Sequence, residues 1–172
     1  MGTIFSNTGG YESLTDVSGM FESTKIGTIP SGFFANTKAI TNMSNIFKNA
    51  SITSVPVDLV QGLSSVTSAN EMFYNNADLM FLITNADTTT TATATIPTNF
   101  FTGCSALLNL RYCFSLNNKI KFDDTMTGVN NFLPNSIVDI TGIFQNCTTL
   151  NGPVHEYLFK EKSALKYASA AL

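Results

Sequence analysis

Between Thr41 and Phe73 the chain reads TNMSNIFKNASITSVPVDLVQGLSSVTSANEMF, and the apolar pair Ile46-Phe47 inside it returns as Met72-Phe73. Such a recurrence marks a repeat architecture, in which one unit is too small to bury its own apolar face and must share a core with its neighbours. Outward from this stretch the pair recurs as Ile4-Phe5, Met20-Phe21, Cys113-Phe114 and Ile143-Phe144, giving Phe-to-Phe spacings of 16, 26, 26, 41 and 30. The interval of 41 is longer than the unit, and the surplus falls on Phe81 to Thr95 (FLITNADTTTTATAT), which reads as a loop inserted into one repeat.

Proline sets a second register. Pro30, Pro56, Pro97 and Pro153 each precede by four residues a large side chain, Phe34, Val60, Phe101 or Tyr157. Phe34 and Val60 stand half a unit after Phe21 and Phe47, and Phe101 stands half a unit before Phe114, so the unit is two similar halves. Met43, Ile46 and Phe47 occupy i, i+3 and i+4, the spacing of one helical face, and Pro suits a first helical position. Ile52-Thr-Ser-Val55 and Leu63-Ser-Ser-Val66 are brief, β-branched and bounded by turn formers, as very short strands are. The expected fold is therefore an α/β repeat solenoid, leucine-rich-repeat-like, in which units of about 26 residues combine very short strands with short helical turns. Neighbouring units would share a continuous core holding Phe21, Phe34, Phe47, Phe73, Phe101, Phe114 and Phe144. Asn49, Asn75, Asn76, Asn117, Asn118 and Asn146 recur in the turns, where the side chain satisfies backbone groups and tolerates left-handed conformations.

The expected organisation is a solenoid over 1–154 and a C-terminal capping helix over 155–172. That last stretch, HEYLFKEKSALKYASAAL, gathers lysines and helix formers, and Leu158, Phe159, Lys162, Leu165 and Lys166 suggest an apolar stripe on the last repeat with lysines in solvent. Nothing comparable precedes Ile4-Phe5. The N-terminal face is expected to be covered by another subunit, by further polypeptide or by the chain's own opening segment up to Thr15, and homo-oligomerisation through it is one outcome.

Composition narrows the chemistry. The 172 residues are 44% apolar, enough for a core, but only 12% charged, while Asn, Thr and Ser make a third of the chain. The surface is polar and nearly neutral. A net charge of -3 with no basic stripe argues against nucleic acid, and no apolar run is long enough to span a bilayer. Met1 to Phe5 has neither the charged nor the apolar region of an export signal; Met1-Gly2 with Ser6 fits the myristoylation pattern, as Met-Gly starts in Ser/Thr-rich chains readily do. One His and three Cys leave little for metal sites or His-dependent catalysis. His155 reads as a cap residue, and Cys104, Cys113 and Cys147 as small core fillers. The carboxylates Asp16 with Glu12 and Asp123-Asp124 read as solvated loops rather than a calcium ladder. No enzyme activity, cofactor or metal is expected. The sequons at Asn42, Asn49 and Asn146 are those a chain of this composition generates by itself.

The strings TNMSNIF (41–47), FTGCSAL (101–107) and FQNCTTL (144–150) resemble the BspA-like leucine-rich repeats and the related mycoplasma lipoprotein-type surface repeats. The resemblance covers residues 4 to about 158. It implies an adhesion role toward host proteins and, if the chain is a fragment of a longer one, a location at the bacterial cell surface or outside the cell. Beside it, a protein with a Met start and no export signal also fits a phage virion, as a structural or decoration component. Between these, a non-enzymatic recognition module with a protein or cell-surface ligand is the first expectation. The insert supplies its candidate contacts. Phe81, Leu82 and Ile83 open it as either a strand packed on the repeats or an exposed contact, and Thr88, Thr89, Thr90 and Thr91 follow.

Overall fold

The computed structural model describes residues 11–84, 89–122, 132–150, 159 and 161–171. Its chain winds in successive coils. Asp16, Asn42, Ser68, Asn109, Asp139 and Tyr167 form one column of single parallel bridges, and Thr28 with Ser54 and Thr95 with Lys121 belong to a second. Backbone hydrogen bonding explains why no longer ladder forms. In 17–24 the N–H groups of Val17, Gly19, Phe21 and Ser23 donate across to the carbonyls of Asn42, Ser44, Ile46 and Lys48, at 2.8–3.0 Å. Those of Met20, Glu22 and Thr24 instead close turns on the carbonyls three residues back. The coil is thus a run of overlapping β-turns, with alternate donors spent inside the coil and between coils.

This arrangement overturns the α/β leucine-rich-repeat-like solenoid with helical turns. Among the described residues there is no helix, and regular strand is confined to one small open sheet of three strands. The apolar spacing i, i+3, i+4 is common to a helical turn and to two overlapping β-turns, so Met43, Ile46 and Phe47 are all fully buried without any helix. Backbone conformation decides between them. Each of the first five coils holds a left-handed residue two positions after its first core residue (Gly19, Asn45, Glu71, Tyr112, Gly142) and another four positions further on (Ser23, Asn49, Asn75, Leu116, Asn146), and the last coil has Ala170. A right-handed helix cannot pass through such positions.

The core runs through the stack as an aromatic column. Phe21, Phe47, Phe73, Phe114 and Phe144 lie ring over ring, with centroids 5.5–5.7 Å apart and planes within 9–21°. Phe33, Phe34, Phe100, Phe101 and Phe132 meet them or one another from the other half of each coil, edge-on or tilted apart from Phe132, which also stacks on Phe144. Of the seven expected core phenylalanines six are buried, while Phe21 at the described N-terminal end is half-buried. Two of the turn asparagines are buried as well. The Asn76 amide donates to the Phe47 carbonyl at 2.8 Å and accepts from Ile52 N–H at 2.8 Å. Asn117 donates to the carbonyls of Phe73 at 2.9 Å and Phe114 at 2.7 Å, tying adjacent coils where no bridge does.

The insert builds most of the sheet. Strand β1 is Ser54–Pro56, β2 is Met80–Thr84 and β3 is Thr90–Thr93, in the order β1-β2-β3. β2 runs parallel to β1 in register Val55 with Phe81, and antiparallel to β3 in register Phe81 with Thr93. The stretch expected as a loop is therefore a strand pair that carries on from the second bridge column. Only its tip, 85–88, lies outside the described residues.

The expected capping helix over 155–172 is also overturned where it is described, over 161–171. Residues 161–171 form a further coil: Ile140, Gly142 and Phe144 donate to the carbonyls of Tyr167, Ser169 and Ala171, and Lys166 N–H returns to Val138 at 2.8 Å. A helix would spend those groups internally and leave the preceding coil's donors unmet. Lys162, expected in solvent, is buried against Asn135 Oδ1 at 2.9 Å, and this desolvation lowers its pKa. His155 and Leu158 lie outside the described residues.

Candidate functional site

A groove opens where the strand pair meets the coils. Val57 N–H donates to the Leu82 carbonyl at 3.1 Å, which holds β2 beside the turn that follows Pro56. Leu82 and Thr90 from the strand pair, Asp58 and Gln61 from the turn, and Ser31 and Asn99 from the neighbouring coils then surround about 430 Å³. Ser31 Oγ donates to Asp58 Oδ2 at 2.6 Å, and Gln61 Nε2 donates to the Asn99 carbonyl at 3.1 Å. These bonds fix the polar wall. Asp58 and Gln61 also border a second hollow of about 240 Å³, toward Phe34 and Lys38, so the two share a wall.

Most of the walls come from one repeated place in the sequence. Ser31 follows Pro30, Val57 and Asp58 follow Pro56, and Asn99 is two residues past Pro97. Stacking brings these post-proline positions together from three coils. The proline register was visible in the sequence; that its next two residues face outward was not, because that depends on the turns being β-turns.

Of the candidate contacts, the structure separates one group from another. Phe81 is fully buried and packs edge-on against Phe100 at 5.4 Å, so it belongs to the core and not to a surface. Leu82 and Ile83 are half-buried, and Thr89, Thr90 and Thr91 are exposed. Thr88 lies outside the described residues. Leu82 and Thr90 line the groove, while Thr91, paired with Ile83, stands on the other face of β3.

The remaining chemistry-bearing groups stand apart from it. Asp16 is exposed, and its hydrogen bonds from Ser18 and then Asn42 hold its carboxyl below the usual range. Asp123 and Asp124 lie outside the described residues, and among the described ones no three His, Cys, Asp or Glu side chains converge as metal ligands would. The three cysteines are free thiols. Cys104 Sγ reaches the Val60 carbonyl at 3.1 Å and Cys147 Sγ the Phe114 carbonyl at 2.9 Å. Burial pushes both thiols up to about 11, and Cys113, wholly enclosed, higher still. Thiols kept protonated in this way are poor nucleophiles.

A pH dependence follows from these shifts. The folded state keeps Cys104 and Cys147 protonated while the unfolded chain ionises them near the ordinary value of 9.0. Their contribution is complete below about pH 9 and is lost as the pH rises toward about 11. Urea titrations at pH 8 and pH 10 should show a shallower fall in stability for a Cys104→Ala/Cys147→Ala variant than for the native chain. Equal falls would mean that the thiols are ionised in the fold.

A family model described as "Mycoplasma protein of unknown function, DUF285" matches residues 10–113 and, a second time, residues 61–168. No curated protein and no solved structure matches the chain. Two overlapping matches to one model are what a repeating chain produces when it is aligned in two registers.

Proposed function

The chain belongs to that Mycoplasma-associated family, and from this premise we propose that it is a non-enzymatic recognition module of a bacterial surface, binding a ligand on a host cell through the face that carries the strand pair. The observation behind this reading is β3. Thr90, Thr91 and Ala92 are exposed and give no side chain to the core, yet they stand in register on β2 next to a groove. Surface that folding does not require, held on a rigid support, is where recognition is built. A kinship with BspA-like surface repeats, suggested by 41–47 and 144–150, belongs to the same proposal. The near-neutral surface, with 12% charged residues, suits contacts made by hydroxyls and amides.

The test is saturable binding of the purified chain to cultured animal cells, read by flow cytometry. A Thr90→Glu/Ala92→Glu variant, which alters the side of β3 that Leu82 and the groove share, should bind at least about tenfold more weakly with an unchanged melting curve. Native chain that does not bind, or a variant that binds equally, would overturn the reading.

A further inference from the structure

Resting on that reading, we propose that the groove between the strand pair and the post-proline turns is a binding site for a neutral oligosaccharide. Its walls offer what sugar hydroxyls bond to. Asp58 contributes a carboxylate that receives one hydrogen bond, from Ser31, and enters no salt bridge among the described residues. An ionised carboxylate accepts through two oxygens and can take two adjacent hydroxyls at once. Gln61 spends one amide hydrogen on Asn99, and its second hydrogen and its oxygen complete the set with the Thr90 and Ser31 hydroxyls.

The floor supplies the other half of the recognition. Pro56, Val57 and Leu82 present aliphatic surface between those polar groups, against which the C–H face of a pyranose ring can lose water. At about 430 Å³ the groove falls within the range of small-ligand sites, and the smaller hollow across Asp58 and Gln61 gives a chain of sugars room to continue. Charge excludes the nearest competitor. In this groove a phosphate or an acidic sugar would meet Asp58 with no lining cation, Lys38 lining only the smaller hollow across the shared wall, whereas neutral hydroxyls meet only acceptors and donors. A peptide held by strand addition is disfavoured at this wall, because Val57 N–H is already given to Leu82.

The experiment has two arms. In the first, the full chain is applied to a panel of immobilised neutral glycans, with Asp58→Asn and Gln61→Ala variants whose melting curves match the native one. Binding to one glycan class, reduced at least tenfold by each substitution, is expected. In the second, cultured cells are first treated with sialidase, to remove acidic sugars, and then either with periodate at a concentration that cleaves the ring vicinal diols of neutral sugars or with protease. Loss of binding after periodate is expected. Cell binding that survives periodate, is abolished by protease and is matched by a silent glycan panel would overturn the sugar assignment while leaving the recognition reading intact. If the native chain binds no cells at all, that reading fails, and the glycan panel alone decides the groove's ligand.

Discussion

Alanine in place of Phe114 is expected to cost about 3–5 kcal/mol of stability, a large part of what a domain of this size possesses. The ring is fully buried and lies at the crossing of both aromatic sets. It stacks between Phe73 at 5.5 Å and Phe144 at 5.7 Å, and Phe132, Phe81, Phe100 and Phe101 lie around it at 6.1–6.3 Å. Deleting it leaves a cavity that coils pinned by hydrogen bonds on both sides cannot close. Phe21→Ala removes the same atoms from a half-buried site whose one stacking partner among the described residues is Phe47, and should cost less than half as much. Urea unfolding of the two variants is the measurement. Because each coil touches only its neighbours, Phe114→Ala should also broaden the transition, as the segments on either side lose their coupling. Equal costs for the two variants would mean that the column does not carry the stability.

The Phe register was legible in the sequence because its cause is local to each unit: a phenylalanine at the same place in each unit, whose ring stacks on that of the next unit. Helices were read into the same residues because Met43, Ile46 and Phe47 satisfy the helical period and the paired β-turn alike. What separates the two is the sign of φ at Asn45 and Asn49, and in other coils that position is filled by Glu71, Tyr112 or Leu116, residues with no sequence signal for a left-handed backbone. The C-terminal coil was hidden by composition. Its lysines and alanines favour a helix in isolation, and only the open donors of the coil before it, at Ile140, Gly142 and Phe144, make the extended course better. The groove was illegible for a different reason. Ser31, Asp58 and Asn99 are distant from one another along the chain, and stacking alone makes them neighbours.

Gly103→Ala should be as damaging as the loss of a core ring, although it adds one carbon at an exposed position. Gly103 has φ of +83°, and a Cβ built there would stand 2.8 Å from Gly62 Cα and 2.9 Å from Gly62 N. Both neighbours are backbone, so no side chain can swing aside. The two coils are held together at this point by the Gly62 N–H bond to the Thr102 carbonyl at 2.8 Å, which must stretch if they separate. A left-handed Cβ costs about 1–2 kcal/mol and overpacking about 1–3 kcal/mol, so about 2–5 kcal/mol in all is expected. Gly32→Ala is the matched control. Its φ of +69° imposes the same backbone cost, but the nearest atom to a new Cβ is that of Ala35 at 3.9 Å, an ordinary contact. Urea midpoints should therefore separate the two by the overpacking cost alone. The next residue gives a second readout, since Cys104 Sγ bonds the Val60 carbonyl across the same junction. Parting these coils should speed thiol labelling of Cys104 by Ellman's reagent far more than that of Cys113, which lies one half-coil away. Labelling of both at one rate would place the damage in global unfolding rather than at the Gly62 contact.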